Sequence, residues 1–114
     1  MLTPILALAL AATQAPTLSP AQTEAFSNVS RAWAQCTKRY LDRNLASRSA
    51  PADDVLMDRA FAACATEEAS VRTVSAGIIG EERTGPLMER LRQTNREAMA
   101  DYLRRARPSA PMEE

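Results

Sequence analysis

Apolar residues recur every three or four positions along most of the chain after residue 19, which is the spacing of one face of an α-helix. The first such stretch opens at Ser19, a favoured N-cap, followed by Pro20 at the first helical position and by Gln22, which completes a capping box. The pattern predicts a helix over residues 20–46. Its buried stripe is expected to contain Phe26, Val29, Trp33, Cys36 and Tyr40.

The same periodicity predicts two further helices. One should cover residues 51–80, with acidic residues in its first turns, where they complement the positive end of the helix dipole. The other should cover residues 86–107, because Gly85 and Pro86 are typical of a helix boundary. The pattern leaves open whether the second helix ends at Gly80 or at Gly85. No segment alternates convincingly between apolar and polar residues, so we predict no strand.

The two cysteines are placed symmetrically about the break between the first two helices. Cys36 and Cys64 lie at equal distances from Ala50, and an antiparallel hairpin brings such positions face to face. We therefore predict a disulfide that closes this loop and contributes about 3–4 kcal/mol to stability. A redox-active pair is less favoured, because the chain has neither Cys-x-x-Cys spacing nor a histidine.

The predicted fold class is therefore all-α. We expect an antiparallel helical hairpin stapled by one disulfide, with a third amphipathic helix completing a small three-helix bundle.

The N-terminus has the features of an export signal. No charged side chain precedes Glu24, and residues 5–12 form an apolar run that is shorter than the about 20 residues needed to span a bilayer. We expect residues 1–15 to be a signal peptide, residues 16–107 a single helical domain and residues 108–114 a disordered tail. The pattern does not fix the cleavage site.

The signal and the cysteine pair together predict a periplasmic or secreted protein. Contact with a membrane is expected only if the N-terminal segment stays uncleaved. The layout is similar to that of many short exported bacterial proteins, a resemblance that implies no active site.

Composition points away from catalysis. Basic and acidic residues are equal in number, at 14 each, so the chain has no general attraction to nucleic acid. Histidine is absent, which removes the commonest general base and a common zinc ligand. Two cysteines alone cannot complete a tetrahedral zinc site. We predict no cofactor, no metal ligand, no catalytic residue and no enzymatic activity.

Polar residues on the apolar faces of the predicted helices are candidates for lining a groove between those helices. Trp33, Glu67 and Glu68 should lie near one another in the hairpin, available to a ligand or partner. The favoured interpretation is structural, with Glu68 pairing with Arg72 and Glu67 accepting the indole N–H of Trp33. On the third helix, either Asn95 or Thr94 should occupy the buried position.

The third helix is rich in arginine and is a candidate partner surface. Asp101 interrupts the basic residues and is expected to pair with Arg104 or Arg105. A solvated helix face is therefore the favoured interpretation. The residues of the candidate surface are Arg90, Arg92, Arg96, Arg104 and Arg105.

The sequence thus favours a non-catalytic binding or structural protein of the cell envelope. An inhibitor or modulator of an envelope enzyme is the alternative, since a rigid helical protein loses little entropy on docking. A thiol redox protein is the weakest hypothesis. The expected partner is another protein, or a second copy of the chain if an apolar strip stays open.

Overall fold

The computed structural model describes residues 17–46 and 50–107, and within these ranges the chain forms four helices and no strand. The predicted signal peptide and C-terminal tail lie outside the described residues. The all-α fold class is confirmed. The helices are α1 (Pro20–Leu45), α2 (Asp53–Ala63), α3 (Ala65–Ile79) and α4 (Glu81–Ala106).

The hairpin predicted from the cysteines is present. Helix α1 packs against both α2 and α3, which together form the returning arm. Cys36 of α1 is bonded to Cys64 at the junction of α2 and α3, with 6.0 Å between the two α-carbons. The capping box at the start of α1 also forms, because the Ser19 hydroxyl accepts from the Gln22 amide and the Gln22 side chain accepts from the Ser19 amide. The disulfide staple is thus confirmed.

The returning arm is two helices, where the sequence predicted one over residues 51–80. The interruption is the single residue Cys64, whose amide donates to the carbonyls of both Ala60 and Phe61 (3.0 and 3.2 Å). The Glu68 amide still donates to the Cys64 carbonyl at 3.0 Å, so the two helices continue almost without a gap. The apolar periodicity is the same on both sides of Cys64, and the sequence therefore carries no sign of this irregularity.

The predicted start of the last helix at Pro86 was wrong. The chain turns at Gly80, whose φ of 89° is in the left-handed region, so the second arm ends at Ile79 and α4 begins at Glu81. Pro86 falls in the second turn of α4, where its missing N–H removes one intrahelical hydrogen bond. Thr84 and Met88 are buried on either side of it and hold this segment against the core.

Helix α4 runs antiparallel to α2–α3 and parallel to α1. Contacts between side chains fix this arrangement, since Arg92 pairs with Glu68 and Arg107 pairs with Asp53 at the far end of the same two arms. All four helices bury residues in one core. It contains Trp33, Leu41, Leu56, Met57, Ala60, Phe61, Cys64, Val71, Met88, Met99 and Leu103.

The buried face of α1 is rotated from the predicted stripe. Trp33, Thr37 and Leu41 are the buried residues of this helix, while Cys36 and Tyr40 are half-buried at its edge. Burial of Thr37 was not expected from its polarity. Its hydroxyl lies 3.3 Å from the Trp33 carbonyl and 3.0 Å from the Ala34 carbonyl, so the helix itself satisfies this polar group.

Candidate functional site: a cleft between α1 and α4

An open cleft separates α1 from α4, because both helices pack mainly on α2–α3 and touch each other far less. Two adjoining cavities of about 180 and 210 Å³ lie along it and share Ala34, Asn95 and Ala98. We call this feature the α1–α4 cleft. Its first end is lined by Ser30, Trp33, Ala34, Leu91, Thr94, Asn95 and Ala98, and its second end by Thr37, Lys38, Leu41, Met99 and Tyr102.

Small side chains keep the cleft open along its length. Ala34 and Ala98 lie on opposite walls and are both exposed to solvent. A larger side chain at either position would fill the space between the helices. Of the described residues that line the cleft, only Lys38 is charged, so the surface is apolar apart from a few hydrogen-bonding groups.

Three of those groups are buried and have no hydrogen-bond partner in the part of the chain that the structure describes. They are the Trp33 indole nitrogen, the Asn95 side-chain nitrogen and the Ser30 hydroxyl, all at the first end of the cleft. Trp33 is only 3% exposed, and its N–H can act solely as a donor. An unpartnered buried polar group costs about 1–3 kcal/mol. Three of the four such atoms among the described residues lie at this end of the cleft, and the fourth is the Ser75 hydroxyl of α3.

Tyr102, Asp42 and Lys38 close the second end of the cleft. The Tyr102 hydroxyl donates to the Asp42 carboxylate, and the Lys38 ammonium lies 3.3 Å from Asp42 and 4.9 Å from the centre of the Tyr102 ring. The hydrogen bond from Tyr102 lowers the pKa of Asp42, and the same bond raises the pKa of Tyr102. The hydrogen bond that the Lys38 ammonium donates to Asp42 raises the pKa of Lys38. The cluster therefore stays charged and bonded over a wide pH range.

Glu67 lies beside the disulfide and does not accept a hydrogen bond from the Trp33 indole. One of its carboxylate oxygens and the two sulfur atoms of Cys36 and Cys64 all lie within 4.8 Å of one another. The Trp33 nitrogen has no partner among the described residues, so the hydrogen bond expected from Glu67 is not formed. The Trp33 ring instead packs near the ring of Phe61, with 6.1 Å between the two centroids.

Glu68 pairs across helices where the sequence suggested a pair within α3. Its carboxylate lies 3.6 Å from the Arg92 side chain of α4, and the expected pair with Arg72 is replaced. Arg92 also lies over the Phe61 ring, 4.4 Å from its centroid. This contact depends on the turn at Gly80, which places α4 alongside α3.

Most of the arginines proposed as a partner surface are in ion pairs within the protein. Arg96 contacts Asp58 at 2.7 Å, while Arg104 and Arg105 both contact Asp101, at 2.9 and 2.7 Å. With the Arg92–Glu68 pair, this accounts for four of the five arginines. Arg90 is exposed and has no ion pair within the described ranges.

Only some residues of this site were predicted from the sequence. It singled out Trp33 and left Asn95 and Thr94 as alternatives, and the structure leaves Thr94 exposed and buries the Asn95 side-chain nitrogen. Ser30, Ala34 and Ala98 carried no distinguishing signal, because small residues are common throughout these helices. Their role is visible only when two helices that are distant in sequence lie side by side.

No protein-family model, curated protein or solved structure matches this chain. Within the described ranges, no helix has an apolar stretch of the length needed to cross a membrane. The fold and the cleft thus define a small all-α protein with a disulfide-stapled hairpin and an open interhelical groove.

Proposed function

We propose that the protein is a small exported, non-catalytic binding protein that receives an amphipathic helix of a protein partner in the α1–α4 cleft. The observation that carries this proposal is the group of three buried, unpartnered polar atoms, on Ser30, Trp33 and Asn95, in an otherwise apolar groove. Such groups are rare in folded proteins and need an explanation. A partner whose docking moves the cleft walls enough to expose these atoms, and which supplies an acceptor, would satisfy them.

The shape of the cleft favours a helix. From Ser30 to Leu41 it follows about three turns of α1, the length over which a bound helix presents anchor residues at positions i, i+3 or i+4, and i+7. The small walls at Ala34 and Ala98 permit close approach. A helix in this position would add a fourth rod to the three formed by α1, α2–α3 and α4, as in a four-helix bundle.

The cavities have the size of individual side chains. Their volumes are about 180 and 210 Å³. Each cavity suits one aliphatic anchor side chain. A third anchor with an amide or carboxylate oxygen would accept from Trp33 and Asn95.

Export is part of the proposal. It is supported by the uncharged N-terminal segment and by the disulfide, since structural disulfides persist mainly in oxidising compartments. Intact mass spectrometry of protein recovered from the periplasm or medium tests this step. We expect a mass without the N-terminal segment and two hydrogens below that of the dithiol form. A full-length mass with two free thiols would contradict it.

The modulator function through the arginine-rich face of α4 has less support. Arg92, Arg96, Arg104 and Arg105 would have to give up their ion pairs with Glu68, Asp58 and Asp101 to bind an acidic partner. The cleft requires no such exchange, because its unpartnered groups gain bonds without losing any.

Trp33 supplies a direct test, since it is the single tryptophan of the chain. The probe is a pair of four-turn amphipathic helical peptides that share leucine anchors and differ at one central position, glutamine or leucine. We expect the glutamine peptide to change Trp33 fluorescence and to bind the more tightly. Ala98→Arg should abolish binding, and Ala69→Arg, on the exposed surface of α3, should leave it intact.

Photo-cross-linking in the producing cell identifies the occupant. A photoreactive side chain at position 98 should give an adduct with a different protein, and the same group at position 69 should not. An adduct between two copies of this chain would replace the partner with a homodimer. Equal adducts from both positions, or none from position 98, would refute the cleft as the binding site.

A further inference from the structure

We propose that Cys36, Cys64 and Glu67 form a binding site for a thiophilic divalent metal ion, Zn²⁺ in the first place, in the dithiol form of the chain. This form exists after synthesis and before the disulfide is made. The sequence offered two cysteines and no further ligand, and the fold adds the carboxylate of Glu67. The proposal does not depend on the α1–α4 cleft.

The distances come close to those of a single metal ion. Zinc binds thiolate sulfur at about 2.3 Å and carboxylate oxygen at about 2.0–2.2 Å, so two ligands of one tetrahedral ion lie about 3.3–3.8 Å apart. The three ligand atoms lie within 4.8 Å of one another, so a movement of the Glu67 carboxylate by about 1 Å brings the set to these separations. Breaking the sulfur–sulfur bond removes the one separation that is too short for two ligands of the same ion.

The backbone holds two of the ligands in place. Cys64 is the residue immediately before α3, and Glu67 follows three residues later, so both side chains project from the same face of that helix. Cys36 completes the set from α1, with 6.0 Å between its α-carbon and that of Cys64.

The partial exposure of two of the three residues leaves room for a fourth ligand. Cys64 is fully buried, whereas Cys36 and Glu67 are half-buried and border solvent. A water molecule can therefore complete a tetrahedron, as in zinc sites with three protein ligands. Two soft thiolates favour Zn²⁺ over Mg²⁺ or Ca²⁺.

The metal-bound and disulfide forms interconvert by a balanced reaction. Metal binding displaces two thiol protons. A disulfide oxidant then accepts two electrons from the two thiolate sulfurs, and one sulfur–sulfur bond forms in the protein as the bond in the oxidant breaks. Two protons from solvent convert the oxidant to two thiols, and the Zn²⁺ ion leaves unreduced. Because the ligands come from both arms of the hairpin, each form holds α1 against α3.

The test is a titration of the full chain, reduced with a phosphine, using Co²⁺ as a spectroscopic probe and Zn²⁺ as competitor. We expect thiolate-to-cobalt charge-transfer bands and the visible bands of a tetrahedral site, both erased by Zn²⁺. Glu67→Gln should weaken binding by about tenfold or more. Glu68→Gln, one residue along the same helix, should bind like wild type. The oxidised protein should bind no metal.

Either folding behaviour of the reduced chain gives a decision. If the metal-free dithiol form is folded, the absence of charge-transfer bands, or equal affinities of the Glu67→Gln and Glu68→Gln variants, overturns the proposal. If it is unfolded, Zn²⁺ should restore the helical circular dichroism, because metal binding then drives folding. No recovery of helicity with Zn²⁺ would also overturn it.

Discussion

Arg107, just after the end of α4, donates to the carboxylate of Asp53, the first residue of α2, over 2.6 Å. The same guanidinium donates to the Pro51 carbonyl at 3.1 Å. These contacts lie at the far ends of the two arms that meet at Gly80. The arm α2–α3 and helix α4 form a second hairpin around Gly80, and this salt bridge joins their ends opposite to the turn. In the first hairpin, of α1 and α2–α3, the disulfide joins the middle of the two arms.

Removing the Arg107–Asp53 salt bridge should lower the stability of the protein modestly. The Arg107 and Asp53 side chains are 35% and 42% exposed, and pairs that exposed contribute at most about 1 kcal/mol. We expect Arg107→Ala to lower the free energy of unfolding by about 0.5–1 kcal/mol in chemical denaturation. The control is Arg90→Ala, which removes an exposed arginine without an ion pair in the described ranges and should change little. Equal losses in the two variants would show that the salt bridge contributes nothing.

Gly80 should be the least replaceable glycine. Its φ of 89° and ψ of 159° lie in a region that is essentially restricted to glycine. We expect Gly80→Ala to lower the free energy of unfolding by about 1–3 kcal/mol, measured by urea denaturation, because any Cβ strains this backbone even though no atom lies within 4 Å of its position.

The matched control for this prediction is Gly77→Ala. Gly77 lies inside α3, is exposed, and also has open space around its Cβ position. Alanine there should raise stability by about 0.5–1 kcal/mol, since it is the better helix former. If both variants shift stability in the same direction, the special role assigned to the Gly80 backbone is wrong.

The two hairpin turns differ in how well the sequence revealed them. The first was marked by a polar, Pro-containing break and by two cysteines whose symmetric placement could be checked. The second is a single residue, Gly80, between two helical patterns, and the stronger local signal of Gly85 and Pro86 lies five residues too late. A proline in an early turn of a helix costs one hydrogen bond. Burial of Thr84 and Met88 is enough to keep that segment helical.

The disulfide should be the largest single contribution to stability that one chemical change can remove. It closes a loop with a sequence separation of 28 residues, for which the chain-entropy estimate is about 3–4 kcal/mol. We expect the Cys36→Ala, Cys64→Ala double variant to lose about that amount in guanidinium denaturation while keeping its helical spectrum in buffer. A loss below about 1 kcal/mol would mean that packing alone closes the hairpin.

Stability should depend on pH through Asp42 and Tyr102. The pKa of Asp42 is lowered in the folded protein by the hydrogen bond from Tyr102, so this contribution is present above the carboxyl's ordinary value of about 3.9 and is lost as pH falls through the folded pKa. The pKa of Tyr102 is raised by the same bond. Its contribution is therefore present below about pH 10 and is lost as pH rises through the higher folded pKa.

The measurement compares wild type with Tyr102→Phe across the pH range. We expect the difference in unfolding free energy to be constant between about pH 5 and 9 and to shrink at both extremes. Tyr40→Phe, which changes the other tyrosine of the chain, is the control and should show no such profile. A difference that is independent of pH would show that the Tyr102–Asp42 bond does not couple to protonation.

The cleft shows why site prediction from sequence stopped short. The pattern placed Trp33 on one seam and Asn95 or Thr94 on another, but it could not say that these seams diverge from each other. The cleft follows from how α1 and α4 each pack on the returning arm, whose helices are interrupted at Cys64 and end at the turn at Gly80. Neither feature leaves a mark in hydrophobic periodicity.

Asn95 should serve binding and should lower the stability of the free protein. Its side-chain nitrogen is buried without a partner among the described residues, and replacing such a group with an apolar one of similar size removes a penalty of about 1–3 kcal/mol. We expect Asn95→Leu to raise the free energy of unfolding by about 1–2 kcal/mol and to weaken binding of the glutamine-bearing helical peptide. Thr73→Leu, on the exposed surface of α3 and away from the cleft, should do neither. Loss of stability in Asn95→Leu would indicate that the amide is already satisfied in the free protein, which would leave only Trp33 and Ser30 in need of an external acceptor.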